Sequence, residues 1–446
     1  MRIAVVGLGK IGTALAAQYV SKGHVVVGCD INPRTVESIN AGRAPMREEP
    51  GVQDLIAQGV ATGRLSATTD TTAAVRLCSA VVVVVPLLVD GAKRPDYHML
   101  DGAVDAIAHG LQPQTLVSFE TTLPVGDTRA RFGPRLERGS GLRAGRDFAL
   151  AFSPERVKSG QILRDLATYP KVVGGVDAHS ARTAGAFYRQ VLDAAVIEVA
   201  SAEVAEFAKL AASFYRDVNI ALANELALCA QACGVDVLDA ITVANTEPTS
   251  SIHQPGIGVG GHCIPVYPYF FIDRFPTTAL LRTARETNDA MAAHAVRLLE
   301  QAMGPLAGQR VVVLGLAFRA NVKEATCSMA FGVVDALERC GATAQVHDPL
   351  FSPDELRALG VQPVDAAGLA DADAVIIQSY HDQYRSLDLG RLRRCRAVLD
   401  GRNALPDDVV AALPCPYLSL GRPILDTPTL CPAAPSRVAV GASREV

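Results

Sequence analysis

The sequence predicts an α/β chain in which two parallel-sheet domains flank a helical middle, and three observations lead there. Over residues 1–199, short β-branched runs ("IAVVGLG", "VVVGCD", "AVVVVVP", "LVSFETT", "FALAFSPE", "VIEV") alternate with helical segments such as "IGTALAAQYVSKG". Strands alternating with helices imply a parallel sheet covered on both faces. Residues 200–305 open with "SAEVAEFAKLAASFYRDVNIALANELALCAQACG", whose Ala, Leu and Val content without internal Pro or Gly predicts one long helix. Strands and helices then resume over 306–421, with "RVVVLGLAF", "TAQVHD", "DAVIIQS" and "AVLDGRN". Residues 422–446, rich in Pro, Ala and Ser, read as a flexible C-terminal tail.

Composition limits what such a chain can do. With 446 residues, 49% of them hydrophobic and 20% charged, it is long enough for two to four packed domains. A net charge of −4 leaves no polybasic footprint, so neither nucleic acid nor an anionic membrane is an expected partner. The most apolar run, "AVVVVVPLLV" at 80–89, is too short to span a bilayer and contains a proline, so it reads as a buried strand. "MRIAVVGLG" enters a strand at once, without the features of a signal peptide, which points to the cytoplasm. The ten cysteines lack the dense spacing of a disulfide scaffold. Cys229 and Cys233 lie four apart on the long helix without a second ligand pair, so they are read as buried packing and no metal is expected.

Two glycine-rich loops carry the chemistry. In "VVGLGKIG", Gly7, Gly9 and Gly12 follow a strand and open a helix, the setting of a dinucleotide-binding fingerprint. Gly7 permits the tight turn, Gly9 the approach of a pyrophosphate, and Gly12 close helix packing, with the phosphates drawn to the helix N-terminus. The second strand ends at Asp30, whose carboxylate would accept hydrogen bonds from ribose hydroxyls and repel a 2′-phosphate; this favours NAD over NADP. The competing reading is a plain glycine turn with a solvated Asp. The other loop, "GIGVGGHCIPVYPYF" at 256–270, surrounds Cys263 with exposed backbone N–H groups. A reactive cysteine needs donors or cations nearby. His262 is adjacent, but neighbours on an extended chain point to opposite faces. On the loop alone, a structural cysteine is at least as good a reading as a catalytic one.

From residue 1 to about 405 the chain resembles the nucleotide-sugar 6-dehydrogenases, in the order "GLGKIG", "INAGRAPMREEPGVQDLI", "SFETTLPVGDT", "FSPERVKSG", "AEFAKLAASFYRDVNIALANELA", "GIGVGGHCIPV", "VLGLAFRANV" and "DGRN". The resemblance implies two Rossmann-like domains joined by a central helical domain, with NAD bound at 1–199, dimerisation and the catalytic cysteine at 200–305, and a UDP-sugar at 306–421. It implies a homodimer through the long helix. It implies oxidation of a sugar C6 alcohol to a carboxylate with release of two hydrides, the aldehyde being held on a cysteine as thiohemiacetal and then thioester. Cys263 matches that nucleophile. Lys209 matches the lysine that stabilises the alkoxide and later oxyanions. Glu155 matches the carboxylate that positions or activates water, and Thr122 the hydroxyl beside the nicotinamide and the reacting water. By the same resemblance Ile11 and Pro86 join the NAD contacts. Arg156, Ser213, Asn219, Gly260, Tyr267, Arg319 and Arg402 join the substrate contacts. Without it, Lys209 would read as an exposed helix lysine, Glu155 as a turn-flanking carboxylate and Thr122 as a strand-end cap.

Four positions depart from the family pattern. Tyr267 stands where the family has an Asp that partners the lysine, and a phenol is a poor resting base unless Lys209 lowers its pKa. Ser213 stands for Asn, Arg319 for Lys and Thr326 for Arg. "SPERVKSG", "RDVNIALANE" and "GHCIP" are similar to the branch acting on UDP-N-acetylhexosamines, UDP-GlcNAc or UDP-ManNAc, with UDP-glucose or GDP-mannose as the alternative. A nucleotide-sugar-binding protein with an eroded site and a two-electron hydroxyacid-type dehydrogenase are the readings of another class.

Overall fold

The structure is a computed structural model that describes residues 1–45 and 49–423. Residues 46–48, inside the second of the motifs above, and 424–446, nearly all of the expected tail, lie outside the described residues. The chain divides into two compact units, residues 1–216 with 262–282, and residues 217–261 with 283 onward.

The first unit is built on eight strands of one sheet: β1 (Arg2–Val6), β2 (Val25–Cys29), β3 (Leu65–Thr68), β4 (Ala80–Val83) and, after a small hairpin of β5 (Leu88–Val89) and β6 (Pro95–Asp96), β7 (Leu116–Phe119), β8 (Ala149–Phe152), β9 (Lys171–Gly175) and β10 (Val196–Val199). Their order is β10-β9-β8-β7-β4-β1-β2-β3. Alternate residues feed two cores: Ile3, Val5 and Val82 pack on one face, Ala4, Val6, Val81 and Val83 on the other. This period of two, apolar on both sides, is why these strands read as continuous β-branched runs. Burial of each Val contributes about 1.5–3 kcal/mol.

The sheet departs from the all-parallel expectation at one place. β9 runs antiparallel to β8, and β10 runs parallel to β9. Only the short helix Ile162–Thr168 separates β8 from β9, so the chain re-enters the sheet from the end it has just left. Neither β3 nor β9 stands out in the sequence, since "LSAT" is short and "KVVGG" ends in glycines.

The second unit repeats the plan in a five-stranded parallel sheet of β11 (Arg310–Leu314), β12 (Thr343–His347), β13 (Ala374–Ile377), β14 (Ala397–Asp400) and β15 (Tyr417–Ser419), ordered β12-β11-β13-β14-β15. The predicted long helix is a single element, Ala202–Cys233. Cys229 and Cys233 correct an expectation, because both are exposed rather than packed. Among the described residues no helix is long and apolar enough to cross a membrane.

Candidate active site

The glycine loop leaves β1 through Gly7, whose φ of 96° is left-handed and whose N–H bonds to the Cys29 carbonyl at 2.8 Å. The helix Lys10–Ser21 starts directly afterwards, capped by Gly9 and with no acidic residue in its first turn. A Cβ on Gly12 would sit 1.8 Å from the Gly7 carbonyl oxygen, so only glycine lets the helix start that close to the turn. A Cβ on Gly9 would meet nothing within 4 Å, which leaves open space over the helix N-terminus for an anionic group. At the end of β2, Asp30 accepts Leu8 N at 2.8 Å on one oxygen and Asn32 N at 2.9 Å on the other. Each oxygen keeps a lone pair for a ribose hydroxyl. Ile11 is half-buried in the helix's first turn, and Pro86 lies exposed just beyond β4. These residues fit the adenosine and pyrophosphate of a dinucleotide.

Cys263, Lys209, Glu155, Thr122 and Tyr267 all belong to the same unit. The chain bends at 261–263 and turns, with Val266 N and Tyr267 N bonding to the Cys263 carbonyl at 3.2 and 2.9 Å. His262 and Cys263 therefore do not diverge as neighbours on an extended chain would, and the His262 ring hydrogen-bonds the neighbouring thiol. Burial alone would raise that thiol. The His262 hydrogen bond and charge, the Lys209 charge and a hydrogen bond from Tyr267 outweigh burial and bring it down to about 7. Alkylation of Cys263 by iodoacetamide, followed by mass spectrometry, should rise with pH around a midpoint near 7; an ordinary thiol midpoint above 8 overturns that assignment. Because the folded thiol ionises below its ordinary value of 9.0, the stability it contributes is full above pH 9 and is lost as pH falls through about 7.

Lys209 is half-buried on the long helix, and its ammonium donates to the Glu155 backbone carbonyl. Desolvation lowers its pKa, against the opposing pull of Cys263 and Glu155. Tyr267 behaves contrary to the expectation that Lys209 would acidify it. Burial first, and the Cys263 charge second, raise the phenol well above its usual range, while Thr122 hydrogen-bonds it. Tyr267 is thus a donor at neutral pH. Thr122 is 5% exposed just past the end of β7.

Glu155 follows the end of β8. Its Oε1 accepts Arg156 N at 2.6 Å and Val157 N at 3.0 Å, and its Oε2 accepts Lys171 Nζ at 3.2 Å. Burial opposes ionisation, but the Lys171 charge and hydrogen bonds from Glu120, Arg156 N and Lys171 hold the carboxyl below its ordinary value. Two other expected substrate contacts bond within the chain. The exposed Arg156 guanidinium donates to the Pro170 carbonyl. The Ser213 hydroxyl bonds back to the Lys209 carbonyl at 3.3 Å. Sequence reasoning missed Lys171, which donates to both Glu155 and Glu120, and Glu120 itself, whose other oxygen accepts the Tyr188 and Tyr19 hydroxyls. Glu120 sat inside a quoted motif; Lys171 opens the strand that had no sequence signal.

In the second unit, Asn219 pins the segment just before the glycine-rich loop, giving Nδ2 to the Ser251 carbonyl at 2.6 Å and accepting His253 N at 2.8 Å. Gly260 is required by close approach, since its Cβ would lie 2.5 Å from Phe318 Cβ; Gly261 N bonds to the Thr326 carbonyl at 2.8 Å. Arg319 is exposed beside Phe318. Arg402 donates Nε to the Gln378 carbonyl at 2.7 Å, and burial brings its pKa down to about 10 despite Asp400. The loop 256–261, Arg319 and Arg402 thus gather beyond the carboxyl ends of β11, β13 and β14, where α/β sheets bind ligands.

The chain matches the UDP-glucose/GDP-mannose dehydrogenase family over its NAD binding domain (residues 1–192), central domain (203–290) and UDP binding domain (312–407). It is 34% identical over 432 residues to a UDP-N-acetyl-D-mannosamine dehydrogenase of Pyrococcus horikoshii, covering 95% of this chain and 99% of the relative. It is 36% identical over 419 residues to an NDP-N-acetyl-D-galactosaminuronic acid dehydrogenase of Ralstonia nicotianae, covering 92% and 97%. Among solved structures, a UDP-D-ManNAc dehydrogenase from Pyrococcus horikoshii superposes with a TM-score of 0.88 at 32% identity, over 95% of this chain and all of the other. A UDP-glucose dehydrogenase from Pyrobaculum islandicum gives 0.85 at 29% identity, over 94% and 98%. The chain belongs to the UDP-glucose/GDP-mannose dehydrogenase family and is an NAD-dependent nucleotide-sugar dehydrogenase.

Proposed function

We propose that the protein oxidises the C6 hydroxyl of a UDP-N-acetylhexosamine, UDP-ManNAc or UDP-GlcNAc, to the carboxylate in two two-electron steps on one active site. The observation that carries this reading is a thiol ionising near 7, held by His262, Lys209 and Tyr267 in the unit that bears the dinucleotide cradle. The relatives named for N-acetylated sugars, mannosamine and galactosaminuronic acid alike, support the hexosamine class.

NAD, when bound, supplies the hydride acceptor for both oxidations. Tyr267 keeps its proton, so it cannot be the base that the family's Asp would be. That role passes to Lys209: burial lowers its pKa against the pull of Cys263 and Glu155, which eases loss of its proton before it takes one from the C6 hydroxyl, and the ammonium so restored holds the Cys263 thiolate. The Cys263 thiolate adds to the aldehyde and keeps it from escaping. Lys209, once protonated, and the Tyr267 hydroxyl face the oxyanion that forms. Glu155 orients the water that releases the acid, and Thr122 borders the same space. In the second unit, Arg319 and Arg402 are the cations suited to a diphosphate.

We also assign a homodimer to the long helix, where Phe207 and Tyr215 are 50% and 54% exposed and Val204 nearly as much. Light scattering should give twice the 46.9 kDa chain mass, and Phe207→Asp should return the monomer. The substrate test is NADH formed per sugar with excess NAD. Two NADH from limiting UDP-ManNAc or UDP-GlcNAc is the expected result; activity confined to UDP-glucose or GDP-mannose overturns the substrate assignment.

A further inference from the structure

Beneath Glu155 lies a buried ion cluster that the roles above do not use. Because β9 runs against β8, its first residue starts where β7 and β8 end. Lys171 therefore points its ammonium between two carboxylates, 2.6 Å from Glu120 Oε2 and 3.2 Å from Glu155 Oε2. Lys171 is 5% exposed and Glu120 1%. The other Glu120 oxygen accepts the Tyr188 hydroxyl at 2.8 Å and the Tyr19 hydroxyl at 3.3 Å, and Ser118 Oγ lies 2.8 Å from Tyr188. Four secondary-structure elements thus converge to fix one side chain.

A buried ion cluster of this kind is a poor device for stability, since well-packed apolar residues of the same volume serve as well or better. Its charge count is what distinguishes it. Two carboxylates and one ammonium carry one net negative charge, and one added proton makes the set neutral. Burial, opposed by Lys171, brings the Glu120 carboxyl up to about 7, so that added proton has a resting place near neutrality.

We propose that Lys171, braced by Glu120, is a positioning residue that aims the Glu155 carboxylate at the thioester and lets the Glu155–Lys171–Glu120 set absorb the proton released in hydrolysis. This rests on the assignment of Glu155 to thioester hydrolysis. In that step the water oxygen bonds to the thioester carbon, and the C–S bond breaks with its electron pair leaving on the Cys263 sulfur. One water proton remains on the product acid, and the other passes to Glu155 and is held in the set.

The experiment follows NADH in the first turnover, steady-state turnover, and the mass of the intact protein, using UDP-GlcNAc or UDP-ManNAc with excess NAD. Lys171→Met combined with Glu120→Gln preserves the net charge. It is expected to release two NADH per site at the wild-type rate, then to turn over about 100-fold more slowly while a sugar adduct accumulates on Cys263. Lys171→Arg should recover most of the turnover. Should the double variant not fold, Glu120→Gln alone decides: it keeps the lysine paired with Glu155 and should slow hydrolysis about tenfold with the NADH burst intact. Wild-type turnover in these variants, or loss of the burst together with the adduct, overturns the proposal. Glu155→Gln separates the two levels of inference. If it accumulates the adduct and the Lys171 variants do not, the positioning role falls and the thioester reading stands; if it forms none, the thioester reading falls and takes this proposal with it.

Discussion

Cys263→Ala is expected to abolish acid formation from a UDP-N-acetylhexosamine, lowering turnover on the order of 10⁴-fold or more. The physical reason is that the second oxidation has no covalent hemiacetal to act on once the sulfur is gone. The first oxidation does not need the thiol, so a single NADH per site with free aldehyde is compatible with the mechanism. Measured side by side, wild type should yield two NADH per sugar and the variant at most one. Two NADH per sugar from the variant would remove the thioester from the reaction and leave Cys263 as the filler of a tight turn. The substitution is small and Cys263 is only partly buried, so the fold should survive it and the loss should be read as chemistry.

Gly12→Ala is expected to be the most damaging single change in the dinucleotide cradle. Its Cβ would fall 1.8 Å from a backbone oxygen, and backbone cannot swing aside as a long side chain does. Either the helix Lys10–Ser21 shifts away from the turn or the turn opens; overpacking of this kind costs about 1–3 kcal/mol. Thermal melting should fall by about 2–4 °C for each of those kcal/mol in a domain of this size. The displaced helix N-terminus should weaken NAD binding at least about tenfold, equivalent to about 1.4 kcal/mol, as read by calorimetric titration. Unchanged NAD affinity would mean that the helix start and its dipole do not hold the pyrophosphate.

Much of the candidate site could be read without coordinates because the residues that matter sit at strand ends. Gly7 and Asp30 follow β1 and β2 directly, Thr122 follows β7, and Glu155 follows β8. A β-branched run that stops at Gly, Asp or Thr marks both the end of the strand and the place where a ligand meets the sheet. The long helix was equally legible, since nothing in Ala202–Cys233 interrupts it.

The α/β plan, the glycine cradle with its acidic partner and the loop that carries Cys263 are legible in the chain alone. Each of these is set by local chemistry: side-chain periodicity, backbone freedom at glycine, and short spacing along the chain. The electrostatic state of the site depends instead on contacts made by folding. The reversal of β9 brings Lys171 to Glu120 and Glu155, the bend at 261–263 turns His262 onto the thiol, and burial keeps the proton on Tyr267. Charges interact through space at distances that sequence separation does not encode: Lys171 stands fifty-one residues from Glu120, yet 2.6 Å away.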